Sequence, residues 1–324
     1  MIGSDPGRPV VVFAPARVDL SAGFTDVEPF CTELPGRVVN VALDLGVEVT
    51  VREEVARTPA VSFVDRLCGA IARRLAIRRP AVRVSASALP AGSGLGASGA
   101  LSVALSYALS LRAGSSAEPT ELVRLACLAE RDAGLTGGTQ DQLASMYGGA
   151  GLVCRHRDLG RRLPIDADLT ALGERLVLVH GSGSRNSGSI IEHVLNERPR
   201  AHVLRTISAM NRIGELLALH LGAGDHEQLA YLVNESNALL RDLHVGIVGD
   251  GVDGWLRTIG AAAAKPCGAG GPGAVWAAVV DPASRPAFVA GVRKAGWSTL
   301  GAAPSAVGAG PRRPAGSAAE AGSG

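Results

Sequence analysis

A two-lobed α+β protein is predicted by three features of the sequence. Valine-rich alternating segments gather in the first part of the chain, long runs of helical spacing dominate the later part, and strand and helix do not alternate regularly. With 324 residues, 47% of them hydrophobic, the chain can bury a sizeable core as one large domain or two ordinary ones. The charged, turn-rich stretch from Arg155 to Leu172 is the expected boundary. This gives an N-terminal domain over 1–165, a C-terminal domain over 166–303 and a tail over 304–324. The tail is mostly Ala, Gly, Pro and Ser and is expected to be disordered.

Taken in order, Val10–Ala14 is a short apolar run that predicts a strand ended by Pro15. Arg37 to Arg52 is rich in valine and predicts one or two strands. Val61–Ala76 has helical spacing, and Ala81–Ala86 alternates as a strand. The glycine-rich run Pro90–Gly99 leads straight into a helix over Ala100–Leu111. A further helix spans Thr120–Asp132, with Gly134 as its stop, and a short one covers Asp141–Tyr147. Leu176–His180 reads as a buried strand. Helices are then expected over Ser189–Glu197, Ala201–Leu221, Glu227–Leu243 and Val252–Ala264. A second glycine-rich loop, Pro266–Gly273, precedes an apolar strand over Ala274–Val280, and Arg285–Ala295 is the last helix.

Composition excludes several classes. A formal net charge of +2 without a basic cluster gives no nucleic-acid signal. No segment approaches the roughly 20 apolar residues of a membrane span. Residues 1–9 are polar and do not read as a signal peptide. Cys31, Cys68, Cys127, Cys154 and Cys267 are scattered singly, which suits a reducing compartment and argues against a structural metal site. The expectation is a soluble cytoplasmic protein, monomer or homodimer, with a small-molecule substrate and no nucleic-acid or membrane partner. The basic residues are nearly all arginine; Lys265 and Lys294 are the only lysines.

The loop Pro90–Gly99 contains four glycines and two serines immediately before a helix. Glycine allows sharp turns and close approach to the backbone, and a helix N-terminus attracts anions. Phosphate binding and an ordinary flexible loop are both compatible with that pattern. A P-loop is excluded because no Gly-Lys-Ser/Thr occurs here, and the spacing fits a dinucleotide fingerprint poorly.

The order of four motifs resembles the GHMP kinases. Pro90-Ala-Gly-Ser-Gly-Leu-Gly-Ala-Ser98-Gly99 is similar to their phosphate loop, and Ala14-Pro-Ala-Arg17, followed by Gly23-Phe24-Thr25-Asp26, to their N-terminal motif. Glu130 with Gly137-Gly-Thr-Gln-Asp141-Gln142 resembles the segment carrying a magnesium ligand and the base, and Pro266–Gly273 resembles the C-terminal glycine loop. Within that family the resemblance is strongest to D-glycero-D-manno-heptose 7-phosphate kinases and fucokinases. It implies an N-terminal lobe similar to ribosomal protein S5 domain 2, with ATP and acceptor in the cleft between the lobes.

The resemblance also implies roles. Pro90, Gly92, Ser93, Gly94, Leu95, Gly96, Ala97, Ser98 and Gly99 would cradle the ATP phosphates. Ser98 and Glu130 would bind Mg²⁺, a hard cation that prefers oxygen ligands and few carboxylates. Equally, Ser98 can cap the following helix and Glu130 can be a solvated helix residue beside Arg131. Asp141 would serve as base or orient the acceptor hydroxyl, with Arg17 holding it ionised; the alternative for Asp141 is a helix cap. Thr25, Asp26, Glu28, Gly138, Gln140, Arg185, Gly270 and Gly271 would contact the acceptor, with Asn40 a weaker candidate. Asp26 can instead belong to a turn before Pro29, and Arg185 can be a solvated loop residue rather than a phosphate ligand. Phe24 stands where the heptose kinases have a small or polar residue, and is expected near the acceptor. The implied activity is ATP- and Mg²⁺-dependent phosphorylation of a hydroxyl, anomeric or equivalent, on a sugar or sugar phosphate. The alternatives are a C7-cyclitol phosphate kinase, a mevalonate-branch enzyme and a non-catalytic sugar sensor.

Overall fold

The computed structural model describes residues 9–55, 62–86, 89–135, 137–181, 194, 199–243, 245–248 and 251–312. The predicted helix over Ser189–Glu197 and the candidate Arg185 fall almost wholly outside these residues. Among the described residues, two antiparallel sheets and the helices around them make up the fold. The first sheet is formed by β1 (Val10–Asp19), β2 (Gly36–Val55), β3 (Pro80–Ala86), β4 (Ala150–Arg155), β5 (Arg161–Ile165) and β10 (Gly310–Arg312), in the order β10-β1-β2-β4-β5 with β3 also on β2. The second contains β6 (Leu176–His180), β7 (Ala261–Pro266), β8 (Val275–Val280) and β9 (Ser298–Leu300), in the order β7-β8-β6-β9.

β1 does not stop at Pro15. Its register against β2 shifts between Pro15 and Arg17, so the proline, which has no N–H to donate, occupies a bulge where no ladder bond is required. The bulge also changes which face each residue meets. Val12 and Ala14 pack with the helices of the N-terminal lobe, whereas Ala16, Val18 and Leu20 pack in the core between the lobes. A one-residue slip sends the alternate set the opposite way, and Arg17 and Asp19 thereby leave the interlobe core for the functional face.

On that face, α2 (Phe63–Arg74), α3 (Ala97–Arg112), α4 (Pro119–Asp132) and α5 (Gln140–Tyr147) cover the first sheet. α3 is central. It touches β1, β2, α4 and α5, and is buried on nearly all sides, which accounts for its run of Ala, Leu, Ser and Val. α1 (Phe30–Glu33) and α6 (Leu169–Arg175) are short connectors. Two long helices, α7 (Arg200–Gly222) and α8 (His226–Leu243), pack together, and α7 also reaches β2 of the first sheet.

The second sheet is covered on both faces. Leu176, Leu178, Val275, Ala277 and Val279 join the interlobe core, while Val177, Val179, Trp276, Ala278 and Val280 face a third cluster with α7, α8, α9 (Val245–Val248), α10 (Val252–Thr258) and α11 (Arg285–Lys294). Both sides being dry explains the continuous apolar sequence of β6 and β8.

Two further expectations are corrected. The helix predicted over Val252–Ala264 ends at Thr258, and Ala261–Pro266 forms β7 beside β8. Alanine favours helix in isolation, but here small side chains let the strand pack under α8, and the tertiary contacts win. The tail is not disordered from residue 304. Pro304 bridges to Leu43, and Gly310–Arg312 pair with Phe13–Val11, closing the free edge of β1. Backbone pairing and small residues hold this segment, and the Arg312 guanidinium lies 3.7 Å from the centre of the Phe13 ring. Hydropathy does not register such contacts. Among the described residues no helix is long and apolar enough to cross a membrane, and the five cysteines form no disulfide.

Candidate active site

The glycine loop between β3 and α3 brings the N-terminal lobe's backbone against that of the C-terminal lobe. A Cβ at Gly94, whose φ is +77°, would lie 2.2 Å from the Cys267 carbonyl oxygen, so only glycine fits. The Val275 N–H donates to the Ser93 carbonyl at 2.8 Å. Leu95 anchors the loop in the interlobe core, and its carbonyl accepts the Arg17 N–H at 2.9 Å. Ala91, Gly92 and Ser98 remain exposed. Gly96 is the cap of α3 and supplies no side-chain bond. Ser98 lies inside the first turn, so the capping alternative for it does not hold. The unpaired amides of that turn and the helix dipole are oriented for an anion.

Asp141 is the second residue of α5 and sits beside this loop. Arg17 donates Nε to Asp141 Oδ1 at 2.8 Å, and its Nη2 lies 2.6 Å from the same oxygen. Its other terminal nitrogen donates to the Gly94 carbonyl and lies 3.4 Å from Asp19 Oδ1. Burial alone would lower the Arg17 pKa, but Asp141 and Asp19 outweigh it and hold the guanidinium above its ordinary value, permanently charged. Arg17 is 4% exposed and Asp141 24%. The carboxylate is therefore fixed from behind and open in front. Gly96 and Gly99 make room for it: a Cβ on Gly99 would lie 2.4 Å from the Asp141 Cβ.

Glu130 is buried at 8% exposure, not solvated beside Arg131. Gln142 donates to its Oε2 at 2.6 Å, while Oε1 has no partner. Burial pushes the Glu130 carboxyl up to about 7, with the Asp141 charge adding to the effect and the hydrogen bond from Gln142 opposing it. The Gln142 amide oxygen is likewise buried without a partner. The orphaned carboxyl oxygen of Glu130 and the orphaned amide oxygen of Gln142 fit a hard cation such as Mg²⁺, which takes oxygen donors and completes its shell with water and phosphate.

The expected acceptor residues are placed differently. Asp26 is fully buried, and its Oδ2 accepts the Thr139 and Gln140 N–H groups at 2.7 and 2.9 Å. It caps the start of α5. Burial raises its pKa to about 6, against the lowering effect of those N–H groups and Arg155 and with Asp141 adding to the rise. Gly138 serves this contact, since a Cβ there would lie 1.9 Å from Asp26 Oδ2. The Thr25 hydroxyl is engaged by the Arg37 backbone. Glu28 is held by Arg131 and by the buried Arg155, which also binds the Asp26 carbonyl. Gly270 and Gly271 pack on Ile247 of α9, with Gly271 N donating to its carbonyl. Gln140 bonds Gly23 and Asp26 through its amide nitrogen, and Asn40 bonds the Gln140 carbonyl and accepts from Arg162. Phe24 is a core residue of the third cluster. For Asp26, Thr25 and Asn40 the physical reason is that a buried polar group must find partners, and here α5 and β2 supply them; the Gln140 side-chain oxygen is buried without one.

Sequence reading missed Asp19 and Lys265. Both are wholly buried, and Lys265 Nζ donates to Asp19 Oδ2 at 2.8 Å. The available signal was a lone lysine before a glycine loop in a chain that otherwise uses arginine.

Residues 62–149 match the family described as GHMP kinases N terminal domain. The chain is similar in structure to a D-glycero-D-manno-heptose 1-phosphate kinase from Bacteroides thetaiotaomicron, with a TM-score of 0.73 and 21% identity over 94% of this chain and 99% of that one. It is similar to a Lactococcus lactis galactokinase complexed with galactose, with a TM-score of 0.73 and 17% identity over 95% and 96% of the two chains. It is also similar to the Lin0012 protein from Listeria innocua, with a TM-score of 0.77 and 14% identity over 94% and 100%. No curated protein sequence matches the chain. The resemblance expected from the motifs is thus borne out over residues 62–149, which match the GHMP kinase N-terminal domain, and the two-lobed α+β fold is the one these solved structures share.

Proposed function

We propose that this chain transfers the γ-phosphoryl group of ATP, with Mg²⁺, to a hydroxyl of a sugar or cyclitol phosphate, anomeric or equivalent. The observation that carries this reading is Asp141, held by Arg17 at the open end of a glycine loop that begins α3.

Phosphoryl transfer asks a protein mainly for positioning and charge neutralisation. The first turn of α3 would receive the phosphates on its amides, with Ser98 at its exposed surface. Glu130 and Ser98 would hold Mg²⁺, which when bound supplies charge neutralisation on the phosphate oxygens. Asp141 accepts a hydrogen bond from the acceptor hydroxyl, aligns its oxygen and takes its proton as the bond to phosphorus forms. Arg17 holds the Asp141 carboxylate in place for that step. The ground for a sugar or sugar phosphate is the likeness to a structure described as a heptose 1-phosphate kinase and to a galactokinase complexed with galactose; the cyclitol phosphate is the alternative within that class. The sequence retains Ser98, Glu130 and Asp141 together, which favours catalysis over a purely sensing role.

The test is ATP consumption with Mg²⁺ against free sugars, heptose 7-phosphate and C7-cyclitol phosphates. Turnover on a phosphorylated acceptor, abolished in Asp141→Asn with ATP binding intact, is expected. Turnover retained in that variant would remove Asp141 from the mechanism.

A further inference from the structure

We propose that Lys265 and Asp19 are positioning residues for the base, a buried charge link that sets Arg17 against Asp141 and ties the C-terminal glycine loop to the same carboxylate. The inference rests on the reading of Asp141 given above.

Four charged side chains alternate in sign from β7 to α5: Lys265, Asp19, Arg17 and Asp141. Lys265 and Asp19 are both 0% exposed. The three ammonium protons are all used, on Asp19 Oδ2 at 2.8 Å, the Asp19 carbonyl at 2.9 Å and the Pro266 carbonyl at 2.9 Å. Lys265 therefore has no donor left for a phosphate, and its role is exerted through Asp19. The remaining Asp19 oxygen, Oδ1, accepts the Gly268 N–H at 2.8 Å and lies 3.4 Å from Arg17 Nη1. One carboxylate thus fixes both the first turn of the C-terminal glycine loop and the back of the guanidinium that holds Asp141.

The choice of residue supports a specific demand at this place. The chain has 32 basic residues, and only Lys265 and Lys294 are lysines. A compact ammonium can satisfy a carboxylate and two carbonyls arranged around a point, whereas the flat fork of arginine cannot. Gly23 adds to the fit: a Cβ there would lie 3.1 Å from Asp19 Oδ2 and 3.0 Å from the Gln140 side-chain nitrogen. The link consequently connects the two lobes at the point where their glycine loops meet. Its effect is to make the orientation of Asp141 depend on the seating of the C-terminal loop.

The experiment uses the full chain with Asp19→Asn, which preserves shape and an acceptor for Gly268 N–H, and Lys265→Arg as a second variant that retains charge. Two readouts are taken. In kinetics, kcat should fall about 10- to 100-fold in each variant while KM for ATP stays within about twofold. In an Arg17→Lys background, Asp19→Asn should then cost nothing further, because its target is gone. In ¹⁵N-arginine spectra, the Arg17 Nε–H signal, identified as the one missing in Arg17→Lys, should be sharp in the unsubstituted chain and lost in Asp19→Asn. Lowered thermal stability with unchanged kcat, or an effect of Asp19→Asn that multiplies with Arg17→Lys, overturns the proposal. So does an Arg17 signal unaffected by Asp19→Asn. If the unsubstituted chain phosphorylates no acceptor, the proposed function fails, and the arginine signal alone still decides whether the link positions Arg17.

Discussion

Replacing Asp26 by asparagine separates a sugar-binding aspartate from the cap that the structure shows. Asp26 is fully buried and its pKa is raised from 3.8 to about 6, chiefly by burial. In an unfolded chain it ionises near the lower value, so the folded state binds the proton more tightly. Stability contributed by the protonated form is complete below about pH 4 and is lost as pH rises through 6. The full loss is about 3 kcal/mol, from 2.2 pH units at roughly 1.4 kcal/mol each, and about 1.3 kcal/mol of it falls between pH 5 and pH 7. The Asp26→Asn side chain cannot ionise, so that fall should vanish. The lost charge on the Thr139 and Gln140 N–H groups offsets part of the gain, by about 0.5–2 kcal/mol as for other helix caps. Urea denaturation of both chains at several pH values between 5 and 7 gives the difference directly. Because α5 carries Asp141 one residue after Gln140, kcat should also fall, with acceptor KM little changed. Parallel stability curves, or a large rise in acceptor KM with kcat preserved, would refute the reasoning and return Asp26 to the acceptor site.

Three other outcomes follow from the same geometry. Gly99→Ala places a methyl group 2.4 Å from the Asp141 Cβ, so it should cost about 1–3 kcal/mol in thermal or chemical denaturation and lower kcat more than KM for ATP. Glu130→Gln leaves the fold intact but should raise the Mg²⁺ concentration needed for half-maximal turnover by about 10- to 100-fold, read from a magnesium titration at saturating ATP. Truncation after Ala309 uncovers the edge of β1 and removes the Arg312 contact on Phe13. It should cost on the order of 1 kcal/mol and leave kcat unchanged, as measured by urea midpoint and steady-state rate.

Much of the architecture was legible because burial writes directly into sequence. β6 and β8 are apolar throughout, since both sides of the second sheet are covered, and α4 and α8 carry clear helical spacing. Pro15 misled because a bulge, which depends on the partner strand, removes the penalty that proline carries within a ladder. Ala261–Ala264 misled because alanine propensity is weak against the pairing offered by β8. Residues 304–312 are held by backbone bonds and close approach of small residues, which composition does not reveal.

The site divides along similar lines. Arg17, Asp141, Glu130 and the glycine loop stand out because motif order and residue type both point to them. The capping contact of Asp26 was not legible, because its partners are backbone N–H groups 113 and 114 residues away. Asp19 and Lys265 lie 246 residues apart, and nothing local in either segment names the other. Buried charge at such a site lowers the stability available to the fold, a cost that functional sites commonly carry.

The most direct test of the account is initial ATP turnover by the unsubstituted chain and Asp141→Asn on the phosphorylated-acceptor panel, with ATP affinity measured in parallel. A fall in kcat of about 10²–10⁴ in the variant, with ATP affinity unchanged, is the predicted result. Equal turnover in the two chains would contradict it.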